Sequence, residues 1–249
     1  MCGPLGSYPR GGDHVAGGAL VDTISPPPVE RGNRQLYLPA YRFSEAARFA
    51  QTSPQTVVRW YKGYSAPPRH MEPVFPPPPP NTLSYIQLVE VSLVATFRRF
   101  GVKLEALRRA HTFLRQAYES EYPFAQHKLK TNGIDVLAEV FDDPDILVVA
   151  NKAGELIWAD VIRERFEQFE YEHDLATRWY IRGQQHPILI DPRISFGAPI
   201  IARTGIPTAV IKERFVTGES IPELEEDFGL SLYQVEEALT FENALPSAA

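Results

Sequence analysis

The stretch that decides the fold of the first third of the chain is Ser53-Pro-Gln-Thr-Val-Val-Arg-Trp-Tyr-Lys-Gly63. Ser53 is a favourable N-cap residue, because its side-chain oxygen can accept a hydrogen bond from a free N–H of the first turn. Pro54 suits the first helical position, where its missing N–H costs no hydrogen bond. Gly63 is the residue type that most often ends a helix. The sequence therefore predicts a helix from Pro54 to about Lys62.

A shorter helix is predicted just before this one. Ser44 is a suitable N-cap for residues 45–50, and Thr52 ends the helix. Two short helices separated by about three residues are typical of a helix-turn-helix unit. The spacing fits a solvated helical pair without a ligand equally well.

The positions of the second helix divide between two faces. Val57, Val58 and Tyr61 can pack inward. The outward positions are Gln55, Thr56, Arg59 and Lys62. From residue 41 to residue 70 a single acid, Glu45, stands against the cations Arg42, Arg48, Arg59, Lys62 and Arg69.

The charge of the chain is unevenly distributed. The 249 residues carry a formal net charge of −6, which as a total argues against a nucleic-acid partner. Residues 1–115 carry a net charge of +7, residues 116–185 carry −7 and residues 186–249 carry −6. The division predicts nucleic-acid binding by the first part and protein partners for the remainder.

Composition excludes several classes of protein. Cys2 is the single cysteine, so there is neither an internal disulfide nor a cysteine-based zinc site, which fits a reducing cytoplasm. No apolar run reaches the roughly 18 residues of a membrane helix. No His-Glu-x-x-His, phosphate-binding glycine loop or Gly-x-Ser-x-Gly motif occurs. We therefore predict a cytoplasmic protein that is not an enzyme and holds no cofactor or metal.

Four regions are predicted along the chain. Residues 1–34 are rich in glycine and proline and are expected to form a flexible tail. Residues 35–118 form the basic head, with a proline-rich spacer at 66–80 and helices at 83–100, capped by Asn81-Thr82, and at 103–118. On the second of these helices His111 is expected to be a core histidine. Residues 119–185 form an acidic middle region, and residues 186–249 form the C-terminal domain.

The middle region is expected to contain a small β-meander. Residues 134–141, 146–151 and 155–157 are short β-type runs separated by turn signals. The charged stretch at 159–177 fits either a helix or an extended segment. Its spacing Glu164, Glu167, Glu170, His173 includes the Glu-x-x-His half of a di-iron motif, but no second half occurs, so a solvated charged face is favoured.

The region from Tyr37 to Arg69 resembles the DNA-binding part of MerR-type regulators. The Ser53–Gly63 stretch, followed by Pro67-Pro68-Arg69, is similar to that family's recognition helix and the entry to its wing. After Arg69 the chain departs from the family, because a proline run stands in place of the usual wing. The resemblance implies that Thr56, Arg59 and Tyr61 face DNA. The DNA-contact residues expected from pattern and resemblance together are Gln55, Thr56, Arg59, Tyr61, Lys62 and Arg69.

The C-terminal stretch Ile188–Phe241 resembles a short helix-turn-helix domain of unknown function that recurs in bacterial antitoxins. The matching residues are Asp191-Pro192, Gly197–Ile201, Thr204–Thr208, Gly218–Ile221 and Leu230-Ser231. Together with the head, the Leu83–Glu90 helix and the Thr131–Asp135 stretch, it resembles one group of VapB-type antitoxins. The fold expected is mainly α with small β elements (α+β): a MerR-like winged helix-turn-helix head, a meander and a C-terminal three-helix domain.

The resemblance implies an antitoxin that neutralises a PIN-domain ribonuclease toxin and represses its own operon by binding operator DNA. Aromatic bulk and an inserted cation could block a toxin site built of carboxylates. Candidate toxin-binding residues are Trp158, Arg163, Arg165, Phe166, Phe169, Arg178, Trp179 and Arg182. A charged helix with an apolar packing face explains them equally well. The alternatives for the whole chain are a stand-alone MerR-like regulator and an interaction protein whose basic helix pair is structural.

The C-terminal domain is an unfavourable partner for DNA. From residue 211 to residue 242 its two cations, Lys212 and Arg214, stand against nine acids, a net charge of −7 that phosphates would repel. We therefore expect a protein contact there, most simply a homodimer. Its candidate residues are Ile206, Val210, Ile211, Phe215, Leu224, Leu232, Val235 and Leu239. The alternative is that these residues form only the domain's own core.

Overall fold

The computed structural model describes residues 33–67, 69–76, 82–127, 129 and 163–243. These ranges contain helices and small antiparallel sheets, so the predicted mainly α, α+β class is confirmed. None of the helices in these ranges is long and apolar enough to cross a membrane. The predicted meander at 134–157 and residues 1–32 of the predicted tail lie outside the described residues.

The head is built from two helix pairs and two short strand pairs. In chain order it contains β1 (Pro39–Arg42), α1 (Phe43–Phe49), α2 (Pro54–Lys62), β2 (Tyr64–Ala66), β3 (Arg69–Met71), β4 (Thr82–Ser84), α3 (Tyr85–Arg99) and α4 (Leu104–Ala117). Strand β1 pairs with β4 and β2 pairs with β3, both antiparallel. The α2 bounds are those that the sequence predicts.

Two predicted helix starts are wrong. Helix α1 is capped by Arg42, whose backbone N–H donates to Glu45 Oε2 over 2.8 Å, so Ser44 lies inside the helix. Helix α3 is capped by Ser84 in a reciprocal capping box with Gln87. The predicted cap at Asn81-Thr82 fails because Thr82 belongs to β4, whose pairing with β1 extends the chain before the helix can begin.

Helix α3 is the centre of the core. Every residue from Tyr85 to Phe97 is buried, as its apolar pattern predicts. It contains the buried acid Glu90, whose carboxylate contacts His111 Nε2 of α4 at 2.9 Å. His111 is therefore a hydrogen-bonded core histidine, as predicted.

A four-stranded antiparallel sheet joins the middle region to the C-terminal domain. Residues 163–167 are helical. They are followed by β5 (Phe169–Glu172), β6 (Leu175–Tyr180), β7 (Ile188–Ile190) and β8 (Pro199–Ile201), in that order across the sheet. The described part of the charged stretch 159–177 thus contains both helical and extended residues, so each of the two predicted alternatives holds for a part of it. Because β6 pairs with β7, the predicted boundary at residues 185–186 falls between two strands of one sheet.

Three helices follow the sheet, as the sequence predicts: α5 (Thr208–Val216), α6 (Ile221–Phe228) and α7 (Leu232–Asn243). Thr208 Oγ1 at the start of α5 lies 2.5 Å from Glu242 Oε1 at the end of α7. This contact packs the first helix of the domain against the last.

A buried carboxylate fixes the turn after β7. Asp191 is 1% exposed and accepts hydrogen bonds from Arg178 Nε on β6 at 2.8 Å and from Arg193 Nε at 2.9 Å. Arg178 and Arg193 also reach Glu170 and Glu172 on β5. Burial opposes ionisation of Asp191, but the hydrogen bonds from Arg193 and Arg178 outweigh it and lower the pKa of this carboxyl. The network thereby ties β5, β6 and the β7–β8 turn together.

We expect Asp191→Asn to lower the free energy of unfolding by about 2 kcal/mol at pH 7, because two arginines lose their shared anion. The folded-state pKa of Asp191 is depressed, so its stabilisation is present above the unfolded pKa and is lost as the pH falls through the folded value. In urea denaturation the gap between wild type and variant should therefore close below about pH 4.

Asp174→Asn is the matched control, since Asp174 lies in the exposed β5–β6 turn with a left-handed φ of 64° that asparagine tolerates. We expect it to change stability by less than about 0.5 kcal/mol. A loss for Asp191→Asn that persists unchanged at acid pH would contradict the assigned ionic role.

Candidate nucleic-acid and partner interfaces

Helix α2 presents a polar outer face. Ser53 Oγ accepts from the backbone N–H of Thr56 at 3.1 Å, so the predicted N-cap is confirmed. Gln55, Arg59 and Lys62 are exposed, and Thr56 is half-buried. These four side chains are brought together on one side of a two-and-a-half-turn helix, which is the arrangement that a major-groove contact uses.

Tyr61 lies on the opposite face of α2. Its side chain is 3% exposed, and its ring packs 4.9 Å from the ring of Phe75. The structure thus places it where the helical pattern predicts and away from the duplex-facing position that the MerR resemblance implies. Burial of its ring anchors α2 to the core.

A short wing follows α2, contrary to the expectation that the proline run replaces it. Strands β2 and β3 form a hairpin with Pro67 in the turn, and Arg69 opposes Ala66. Gly63 permits the sharp exit from α2, because its φ is 69° and a Cβ there would stand 2.5 Å from the Met71 carbonyl oxygen. The hairpin escaped the sequence analysis because each strand has only three residues, too few for a period-two pattern.

The wing is tied to the rest of the head at two points. Arg108 of α4 donates from Nε to the Glu72 carbonyl oxygen at 2.7 Å. The Arg59 guanidinium lies over the ring of Tyr64, the first residue of β2, at 5.3 Å from the ring centroid. Helix α2 and the wing therefore present one continuous surface.

The predicted toxin-binding residues separate into two groups. Phe166, Phe169 and Trp179 are buried, with the Phe169 and Trp179 rings stacked at 5.6 Å, so they form the core under the sheet. Trp158 lies outside the described residues. The structure therefore favours the packing alternative for the aromatic members that it describes.

The four predicted arginines differ in accessibility. Burial, and next the nearby charge of Arg99, lower the pKa of Arg165 to about 9, and this guanidinium lies over Trp179. Arg178 is held in the Asp191 network. Arg163 is exposed, and Arg182 is half-buried beside Glu237. Of the four, Arg163 is therefore the most exposed, and Arg182 lies outside the Asp191 network.

The predicted dimer residues divide in the same way. Ile211, Leu224, Val235 and Leu239 are buried within the three-helix domain, which is the alternative that the sequence left open. Ile206 and Val210 are half-buried. Phe215 and Leu232 are 41% and 49% exposed.

Sequence patterns missed several exposed apolar side chains. Val216 and Tyr233 are 73% and 49% exposed and adjoin Phe215 and Leu232 in the chain. Phe196 is 96% exposed and sits at the tip of the β7–β8 turn in a left-handed conformation with φ 55°. The Val216 and Tyr233 positions could have been found from the helical wheel, whereas the tip at Phe196 has no periodic signal.

The four residues whose spacing raised the question of a metal site lie on different elements of the structure. Glu164 and Glu167 belong to the helical residues 163–167, Glu170 lies on β5, and His173 lies in the following turn. Among the described residues, no group of three or more histidine, cysteine, aspartate or glutamate side chains could hold a metal ion.

Comparison with known proteins finds similarity in both sequence and fold. Residues 188–241 match a family described as a protein of unknown function, DUF433. A Mycobacterium tuberculosis protein named "Putative antitoxin VapB45" is 25% identical over 235 residues, covering 84% of this chain and 97% of that protein. The crystal structure of Rv2018 from Mycobacterium tuberculosis shares the fold, with a TM-score of 0.65, 19% identity and coverage of 81% of this chain and 98% of that one. The resemblance to VapB-type antitoxins that the sequence predicts is thus confirmed along most of the chain.

Proposed function

We propose that the protein is the antitoxin of a type II toxin-antitoxin pair, which neutralises a PIN-domain ribonuclease by direct binding and represses its own operon. The observation that carries the proposal is the similarity to the VapB45 protein over most of both chains. The division of the fold into a basic head and an acidic C-terminal domain supports separate DNA and protein contacts.

The DNA contact is assigned to α2 and the wing. Gln55, Thr56, Arg59 and Lys62 face outward, and neither Arg59 nor Lys62 forms an ion pair within the residues that the structure describes. Unpaired exposed cations can replace the counterions of phosphates, and an arginine can also bind a guanine edge. Arg69, which pairs with Ala66 in the wing, remains a further proposed contact residue. A dimer would place two such surfaces on half-sites about one or two helical turns apart.

We expect Arg59→Ala to weaken binding to a duplex from directly upstream of the gene by about tenfold or more, because the change removes a cation from the DNA-facing side of α2. Fluorescence anisotropy at several salt concentrations measures this effect.

Arg34→Ala is the matched control, since it removes an exposed arginine of the head that lies outside α2. Equal affinity of wild type and Arg59→Ala at every salt concentration would refute the assignment of α2 as the DNA-contacting helix.

The toxin contact is assigned to Arg163, an exposed helical residue before β5, and to Arg182, which lies in the connection between β6 and β7. Phe166, Phe169 and Trp179 are buried, so their contribution would be to support the fold rather than to enter a partner. Arginine is well suited to a carboxylate-lined site because its planar group binds carboxylates through two parallel hydrogen bonds.

We expect the double variant Arg163→Ala, Arg182→Ala to lose co-purification with the ribonuclease encoded beside it while keeping its melting temperature. The loss follows from removing both cations that are assigned to the contact. Arg34→Ala should co-purify as the wild type does. Full retention of the ribonuclease by the double variant would remove these residues from the contact, and failure of the wild type to retain any neighbour product would favour the stand-alone regulator.

Self-association is assigned to the exposed apolar residues of the C-terminal domain. Phe215 at the end of α5 and Leu232 at the start of α7 are exposed, and Val216 and Tyr233 adjoin them in the chain. Exposed large apolar side chains are typical of protein contacts when they form a patch. The residues that remain from the predicted dimer set are therefore those outside the domain's own core.

We expect Phe215→Ser with Leu232→Ser to reduce the mass measured by light scattering from dimer to monomer, because both side chains lie outside the core and their loss removes apolar contact area. Phe113→Ser, at an exposed phenylalanine of α4, is the matched control and should leave the mass unchanged. A dimer that persists in the double variant would contradict this location.

A further inference from the structure

The stacked pair of Arg59 and Tyr64 joins the recognition helix to the wing. The Arg59 guanidinium carbon lies 5.3 Å from the centroid of the Tyr64 ring. Both side chains are exposed, Tyr64 to 42%. A large aromatic side chain left at the surface beside a proposed DNA-contacting arginine is not needed for the core, which suggests that it has a role in binding.

The backbone builds this pair. Helix α2 ends at Lys62, and the left-handed conformation of Gly63 turns the chain so that β2 begins at once with Tyr64. Pairing of Tyr64 with Met71 then fixes the strand. A connection of one residue, Gly63, therefore places the Tyr64 ring beside Arg59 in the last full turn of α2.

Stacking constrains an arginine in a way that an ion pair does not. A cation above a ring face is attracted by the π-electrons, and the interaction leaves the N–H groups at the rim of the planar guanidinium unused. Within the described part of the chain, no hydrogen bond or ion pair to a carboxylate occupies the Arg59 donors. The side chain is therefore held in orientation while its donors stay available.

We propose that Tyr64 is a positioning residue for DNA recognition, holding the Arg59 guanidinium so that its N–H edge meets two coplanar acceptors on the duplex. This inference rests on the proposed DNA binding. Two acceptors of this geometry exist on DNA: the O6 and N7 atoms of a guanine, and the oxygens of a phosphate. Tyr64 lowers the conformational entropy that Arg59 loses on binding, because the stack already restricts its rotamers.

A double-mutant cycle on the full chain tests the positioning role. The variants are Tyr64→Phe, Tyr64→Leu, Arg59→Ala and the combination of Arg59→Ala with Tyr64→Leu, and the probe is a labelled duplex from directly upstream of the gene. We expect Tyr64→Leu to weaken binding about fivefold, because the ring face is lost, and Tyr64→Phe to stay within about twofold, because the ring face is kept. In the Arg59→Ala background Tyr64→Leu should have no further effect.

Three outcomes overturn the proposal. Additive effects of Arg59→Ala and Tyr64→Leu would mean that Tyr64 touches DNA by itself, and equal losses in Tyr64→Phe and Tyr64→Leu would mean that its hydroxyl, rather than its ring, acts. Tight binding by Tyr64→Leu would leave the stack without a role. Failure of the wild type to bind the duplex would instead overturn the proposed function. The wild-type titration shows this outcome before any variant is measured.

Salt dependence separates the two acceptors. If Arg59 meets a phosphate, Arg59→Ala should reduce the slope of log affinity against log salt by about one and leave the preference for the upstream sequence unchanged. If it meets a guanine, the slope should stay and the preference over an unrelated duplex should fall. Either result supports a positioned arginine. If Arg59→Ala changes neither the slope nor the sequence preference, the proposal is contradicted.

Discussion

The carboxylate of Glu90 is the contact on which the packing of the head depends. It lies at the middle of α3, is 1% exposed, and accepts hydrogen bonds from His111 Nε2 at 2.9 Å and from the backbone N–H groups of Phe124 and Ala125 at 2.7 and 3.1 Å. A buried carboxylate without partners would cost several kcal/mol. Here one carboxylate joins α3, α4 and the turn at 123–125, so each element is fixed only when the others are in place.

The proposed binding surfaces are connected to this centre. On one side, the His111 ring packs edge-on against Phe75 at 5.6 Å, and Phe75 contacts Tyr61 of α2. On the other side, the chain after Ala125 forms a bridge to Leu175 of β6. Helix α2 and the middle sheet therefore both pack against elements that Glu90 holds together. A separate hydrogen bond, from the Tyr41 hydroxyl to the Gly197 carbonyl oxygen at 2.9 Å, joins the head to the β7–β8 turn.

Sequence reasoning succeeded for helix α2, where local signals act alone, and failed where distant contacts decide. Helix α2 is bounded by Ser53 and Gly63 because capping is set by neighbouring residues. Whether Phe169 and Trp179 face a partner or the core depends on pairing of β6 with β5 and β7, which their spacing does not reveal. Glu90 escaped notice for the same reason, since its donors lie 21 to 35 residues away. The outward positions of α2 could be predicted from the sequence because a single helix carries four of them.

The two helix-turn-helix units show why fold alone does not assign DNA binding. In the C-terminal unit Arg214 is held by Glu219 and Asp227, so one of its two cations is already neutralised within the unit. Its remaining carboxylates would repel phosphates, whereas α2 leaves Arg59 and Lys62 exposed beside a wing. Similar helical geometry is thus combined with opposite surface charge, and this difference in charge is the reason to propose DNA binding for the first unit alone. The proposed positioning of Arg59 by Tyr64 would add orientation to that charge, and orientation is what distinguishes recognition of a site from general attraction to DNA.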